Sequence, residues 1–255
     1  MTTGHGLRND PALKAPAQPN RSLVGGIECL EYLVAADSPV GSREVAREMS
    51  LEHTRANRLL GTLAFMGLAE RTPGRKYVPG PALHVLSAMS LRGSRLLSVA
   101  LPRLEGLAAR LPEFSVALGV LWRCQVVYLY FRRPGRNAEV AIGSERLFPA
   151  EQSSIGQVLL AEREPEEIRE LYAHRPAGDV RAILTEIATA AGRGYALVGG
   201  KTLGVAVGSP AVAGLAIAGK FQRGELGNLV EMIAGTADAI AAALAAGDPC
   251  QKGER

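Results

Sequence analysis

Apolar residues recur every three or four positions over three short segments near the start of the chain. Ser22 can cap a helix that carries Leu23, Ile27, Leu30, Leu33 and Val34 on one face and ends near Asp37-Ser38-Pro39. Ser42 caps a second helix, SREVAREMS, with Val45, Ala46 and Met49 inward. A third runs through LEHTRANRLLGTLAFMG with Leu59, Leu60, Leu63 and Met66 on its apolar side. Only Met49 to Glu52 separate the second from the third, which is the plan of a helix-turn-helix. LAERTPGRKYVPG then has strand-like ends around Pro73-Gly74 and predicts a β-hairpin, or wing, with Arg71, Arg75 and Lys76 at its tip.

Further along, LHVLSAMSLRGSRLLSVALPRLEGLAARL is helical in pattern, interrupted at Gly93 and Pro102, and best read as a linker helix followed by a second helix. FSVALGVLW, QVVYLYF and AEVAIG read as strands with hairpin-sized gaps. SSIGQVLLAE, PEEIRELYAH and DVRAILTEIATAAGRG read as helices, GYALV, TLGVAVGSP and AGLAIAGKF as strands, and about Glu225 to Ala246 as a closing helix. The expected class is α+β, with an antiparallel sheet in the second half. The expected divisions are a flexible leader (1–20), a winged helix-turn-helix domain (21–80), a linker helix (81–95), a second domain (96–248) and a tail (249–255).

The 255 residues suffice for one large domain or two ordinary ones, and the low aromatic content, 5%, points to cores of small aliphatic side chains. The net charge of +4 suits a nucleic-acid binder without establishing one. Cys29, Cys124 and Cys250 are too far apart for a CxxC metal site or a disulfide framework, and a reducing cytoplasm is the expected compartment. His5, His53, His84 and His174 have no ligand spacing, so neither a metal nor another cofactor is expected. No apolar run reaches 18 residues, and no membrane partner is expected.

Charge sharpens the first half. Arg43 to Gly80 hold seven Arg and Lys against four Glu, and three of those acids precede the third helix. A winged helix lays its third helix in the major groove. Ser42, His53, Thr54, Arg55, Asn57 and Arg58 are the candidate DNA-contacting residues there, joined by Arg71, Arg75 and Lys76 from the wing. Arg55 pairs in principle with guanine and Asn57 with adenine, while Thr54, Arg58 and the wing cations suit phosphates.

The chain past residue 20 resembles the IclR family of bacterial transcriptional regulators. RANRLLGTLAFMG is similar to the family pattern TxxRLLxTLxxxG, with Arg55 where the family often has Thr. KYVPGPAL is similar to the exit from the family's wing, FPAEQSSIGQVLLAE to its PLxATASGKALLA segment, and RGYALVGG with LGVAVGSPAV to a later pair of motifs. The resemblance implies a GAF-like effector-binding domain behind the winged helix, and a homodimer or dimer of dimers on a palindromic double-stranded DNA operator. It also implies a small organic effector held between Ser153, Ser154 and Gly156 on one wall and Val207, Ser209, Ala216 and Ala218 on the other. Val207, Ala216 and Ala218 stand where relatives place polar anchors, which leans towards a larger, more apolar effector such as an aromatic acid. Trp122, Cys124 and Tyr128 on the early strands either face the same cavity or pack the core.

Two rivals remain open: a ligand sensor without DNA binding, and a cysteine-dependent enzyme using Cys124, although no GxSxG elbow occurs. The stretch GGKT is not a nucleotide loop. GxxxxGK[ST] requires glycine at 195, which is Tyr195, and a helix after Thr202, where the pattern is a strand. Lys201 stands about where the family usually has Glu.

Overall fold

A computed structural model describes residues 16–136, 147–222 and 224–246. The chain divides into two compact units between Ser94 and Arg95. The expected strand AEVAIG, most of the expected leader and the expected tail lie outside the described residues.

The first unit holds α1 (Arg21–Ala35), α2 (Ser42–Glu48), α3 (His53–Phe65), the hairpin β1 (Ala69–Arg71) and β2 (Tyr77–Pro79), and α4 (Ala82–Arg92). Caps lie slightly upstream of the expected ones. Asn20 Oδ1 accepts from the Ser22 and Leu23 N–H groups, both at 3.1 Å, so Asn20 rather than Ser22 caps α1. Gly41 precedes α2, Ser42 is its first residue, and the Glu44 carboxylate reaches back to the Gly41 N–H at 3.4 Å.

The small core of this unit is built from Cys29, Leu33, Val45, Ala56, Leu60, Leu63 and Tyr77. This revises two helix faces. α1 buries Gly25, Cys29 and Leu33 and leaves Leu23, Ile27 and Val34 exposed. α3 buries Ala56, Leu60 and Leu63, while Met66, just past its end, is exposed. Val40 and Tyr77 exchange backbone hydrogen bonds at 2.9 and 2.8 Å, which ties the α1–α2 connection to the wing. Gly80 is required at the wing's exit, because a Cβ there would stand 2.2 Å from the Gly67 carbonyl oxygen.

The second unit opens with α5 (Arg95–Arg110) after a break at Gly93-Ser94. Pro102 does not interrupt it: it lies exposed within α5, where the free carbonyl of the preceding turn can meet solvent. A six-stranded antiparallel sheet follows in the order β5-β4-β3-β8-β7-β6. Its strands are β3 (Ser115–Trp122), β4 (Gln125–Arg132), β5 (Phe148–Pro149), β6 (Ala196–Val198), β7 (Thr202–Val207) and β8 (Ala213–Ala218). Between β5 and β6 lie a 3-10 turn (Ala150–Gln152), α6 (Ser154–Leu160), α7 (Pro165–Leu171) and α8 (Ala177–Arg193), the last stopped by Gly194 in the left-handed conformation. The chain closes with α9 (Leu226–Ala246).

The sheet separates two layers. α5 and α9 pack on one face, and α6 packs on the other with α8 behind it. Gly199 and Gly200, with φ of 57° and 63°, form the tight β6–β7 turn, and Lys201 beside them is exposed. The GGKT stretch is therefore a hairpin turn, and its lysine points into solvent. α9 is a described helix long and apolar enough to cross a membrane, and it buries Leu229, Ile233, Ala237 and Ile240 within the unit.

Candidate functional site

On α3, 100° per residue places Thr54, Arg58 and Phe65 opposite the buried stripe of Ala56, Leu60 and Leu63. His53, Thr54, Asn57 and Arg58 are all exposed, and Phe65 is 91% exposed. Ser42 Oγ lies 3.0 Å from His53 Nε2, which joins the first residue of α2 to the first of α3. The Arg58 carbonyl accepts from Thr62 Oγ1 at 2.9 Å, and Arg58 itself is exposed.

Arg55 departs from the expected base reader. Its Nη2 donates to the Arg21 carbonyl at 3.4 Å and lies 3.6 Å from where a Cβ on Gly25 would be. The side chain leans on α1, beside the buried stripe's flank. The reason is rotational: Arg55 shares its side of α3 with Leu59, which also approaches Gly25.

The wing turn is closed by Thr72 N–H to the Lys76 carbonyl at 2.8 Å and Arg75 N–H to the Thr72 carbonyl at 3.0 Å. Arg75 holds φ of 58°, an uncommon conformation for arginine. Arg71, Arg75 and Lys76 are all exposed, so three cations meet solvent over six residues of chain.

In the second unit, cross-strand register decides which candidates share a face. Ala117 pairs with Ala216, Gly204 with Ala216, Thr202 with Ala218 and Ala206 with Gly214. Directly paired residues point the same way, so Ala206, Ala216 and Ala218 share the α6 face. Val207, fully buried, points to the α5–α9 face instead, and Ser209 is exposed in the β7–β8 turn beyond the strand. Neither belongs to the α6 wall. A one-residue slip in matching a strand motif exchanges its two faces, and Ala206 is the residue that strand alternation from Ala216 selects.

α6 rests on a floor of glycines. A Cβ on Gly204 would stand 2.7 Å from the Ser154 carbonyl carbon, and one on Gly214 2.7 Å from Ile155 Cγ2. Gly156 is the third residue of α6, and a Cβ there would collide with the Ala150 carbonyl oxygen. It serves close packing. Ser153 and Ser154 are buried, and Ser154 Oγ has no hydrogen-bond partner among the described residues. Such a hydroxyl costs free energy unless something occupies its bonding capacity.

Cys124 and Tyr128 pack against the cluster that holds Val126, Ile155 and Tyr172, on the same layer as α6. Trp122 does not join them: it ends β3, is 37% exposed, and has the Arg123 guanidinium 4.6 Å from its ring centroid. Burial, and then the Glu151 carboxylate, push the Cys124 thiol above its ordinary range. That disfavours the thiolate a nucleophilic cysteine requires.

Glu151 is the functional-looking residue the sequence reading passed over. It is buried, accepts from Arg175 Nη2 at 2.6 Å and from Tyr172 Oη at 3.0 Å. Its own carbonyl accepts from Gln157 Nε2 at 3.0 Å, and that amide also reaches Glu186 at 3.0 Å. This network fastens the turn before α6 to α6, to α8 and to the segment after α7. Its one sequence signal is a lone acid inside the apolar run FPAEQSSIGQVLL. Among the described residues no three His, Cys, Asp or Glu side chains gather as a metal site would need.

No family model matches the sequence, and no curated protein matches it. Solved structures do. An IclR-family transcriptional regulator from Brucella abortus superposes with a TM-score of 0.75 at 19% identity, over 92% of this chain and 97% of its own. An IclR homologue from Microbacterium hydrocarbonoxydans, complexed with 4-hydroxybenzoate, superposes with a TM-score of 0.60 at 25% identity, over 88% and 99%. An IclR transcriptional regulator from Alicyclobacillus acidocaldarius gives 0.66 at 20% identity, over 88% and 99%. These likenesses agree with the motifs on α3, the wing, α6 and β7–β8. Over nearly its whole length the chain has the fold of the IclR-family transcriptional regulators.

Proposed function

We propose that the chain is a cytoplasmic, effector-responsive transcriptional regulator that binds double-stranded DNA and catalyses no reaction. The observation that carries the reading is the basic wing tip (Arg71, Arg75 and Lys76) in the same small unit as the exposed Thr54–Arg58 stripe of α3. In the bound state α3 enters the major groove, with Arg58 and Asn57 nearest the bases, while the wing cations and the linked Ser42–His53 pair meet the backbone. Arg55 turns from α1 to a phosphate or stays as a support for α3.

The operator is palindromic because the protein is a homodimer or a dimer of dimers. Support comes from α4, which buries no residue and exposes Val85, Leu86 and Met89, and from Leu23 and Ile27 on α1. Such apolar side chains call for a second copy. The second unit is a GAF-like effector-binding domain. Its effector is a small organic molecule of the aromatic-acid type, the class of the 4-hydroxybenzoate held by the Microbacterium hydrocarbonoxydans homologue. It lies between the start of α6 and the Ala206, Ala216 and Ala218 wall, with Ser154 Oγ as a polar contact.

An electrophoretic shift with DNA from upstream of the protein's own gene tests this. A specific complex, displaced or strengthened by aromatic acids, supports the proposal. No specific complex with or without them overturns it.

A further inference from the structure

α3 carries one side chain that its place does not explain. Along the line opposite the buried stripe, Thr54, Arg58, Gly61 and Phe65 follow at steps of four, three and four, so they lie one above another on one face. The line begins polar and cationic and ends in an aromatic ring that is 91% exposed. A lone exposed apolar side chain is ordinary on a protein surface. What singles Phe65 out is its position in the same outward line as Thr54 and Arg58. Met66, the next residue, is exposed as well, but a further step of about 100° turns it away from that line.

Gly61 adds a second observation. Inside a helix a glycine costs stability relative to alanine. A Cβ on Gly61 would meet nothing within 4 Å among the described residues, so packing within the unit does not demand the glycine. Its effect is to lower the surface of α3 between Arg58 and Phe65, which lets a partner come closer to the helix axis at that level.

The major groove of DNA offers a matching group. It admits a helix, and the 5-methyl of thymine is the apolar group among the base edges it presents. A phenylalanine ring suits that methyl, as arginine suits guanine. Phe65 stands seven residues beyond Arg58, about 10.5 Å along the axis. That distance spans about three base-pair steps.

We propose that Phe65 reads the 5-methyl group of a thymine in the major groove, about three base pairs from the base met by Arg58. This rests on the reading of α3 as the helix that enters the groove. Gly61 lets the helix sink far enough for the ring to touch the methyl. The contact is apolar, so it adds sequence preference and leaves the salt dependence to the wing cations and other phosphate contacts.

The test replaces thymine by uracil, which removes the methyl and keeps the base pairing. Two duplexes of the same upstream sequence, one with thymine and one with uracil throughout, are titrated with the full chain by fluorescence anisotropy. Wild type binds the thymine duplex at least about fourfold more tightly, the worth of taking one methyl-sized group out of water. Phe65→Ala brings that ratio close to one with an unchanged salt slope. Phe65→Leu, still apolar, keeps most of the preference, and Met66→Ala keeps all of it. Thermal midpoints and the mass in solution, both at wild-type values, establish that the variants fold and assemble. Equal affinity of wild type for the two duplexes, or a Phe65→Ala chain that retains the full preference, would overturn the proposal. So would a loss of mass in Phe65→Ala, which would assign the ring to a contact between copies. If wild type forms no specific complex with either duplex, the DNA-binding reading itself fails and the proposal falls with it.

Discussion

The Arg175 guanidinium donates to the Glu151 carboxylate at 2.6 Å, and this contact ties the segment after α7 to the turn that launches α6. Glu151 is almost wholly buried and Arg175 about one-third exposed. Removing the arginine alone would strand a buried carboxylate. Arg175→Ala is therefore expected to destabilise the second unit by about 3–5 kcal/mol, whereas Glu151→Gln, which keeps the Tyr172 contact and removes the charge, costs less. Denaturant midpoints for the two variants check the order. Equal midpoints for Arg175→Ala and wild type would show that the pair contributes no net stability.

The glycine floor under α6 gives a second expectation. Gly204→Ala places a methyl 2.7 Å from the Ser154 backbone and must lift the start of α6 from the sheet. A loss of about 1–3 kcal/mol follows for the second unit. Response to effector should fall with it while DNA affinity stays near wild type, because the winged helix folds around its own core. A thermal-shift series with aromatic acids, run beside a DNA titration, separates the two effects. Unchanged ligand response in a destabilised Gly204→Ala would remove α6 from the effector site.

The two faces of α3 lead to a graded set of DNA-binding losses. Arg58→Ala should weaken specific binding most, Lys76→Ala should weaken binding to all duplexes and lower the salt slope by about 1, and Arg55→Ala should act least. A larger loss for Arg55→Ala than for Arg58→Ala would mean that its contact with the Arg21 carbonyl breaks on binding.

Cys29 sits fully buried between α1 and the rest of the first unit, and burial pushes its thiol up to about 11 from an ordinary 9.0. Its folded value is raised, so its contribution is whole below pH 9 and is lost as pH rises towards 11, where the unfolded chain has already released the proton. Cys29→Ala should therefore lose less stability than wild type between pH 9 and pH 11, measured as the change in denaturant midpoint. Parallel curves for the two proteins would contradict the assignment.

Much of this architecture was legible in the chain. The helix order, the Pro73-Gly74 wing and the three cations at its tip followed from periodicity and turn chemistry, because those signals are local. The faces were harder. Leu23, Ile27 and Val34 look like core in α1, but the unit closes through Gly25, Cys29 and Leu33, and the missing side chain of Gly25 lets Arg55 and Leu59 of α3 approach. Val207 looks like a pocket residue until cross-strand pairing with Ala213 puts it on the opposite side from Ala216. Glu151 gave almost no signal, since its partners Tyr172 and Arg175 lie more than twenty residues away and meet it only in the fold.

The most direct test of the central claim is fluorescence anisotropy of labelled upstream DNA against a shuffled duplex of equal length, titrated at several salt concentrations with wild type and Arg58→Ala. A regulator of this kind binds the upstream duplex at least about a thousandfold more tightly than the shuffled one, with affinity for both falling steeply in salt, and Arg58→Ala narrows the gap between them. Equal affinity of wild type for the two duplexes, or no binding to either, would contradict the account.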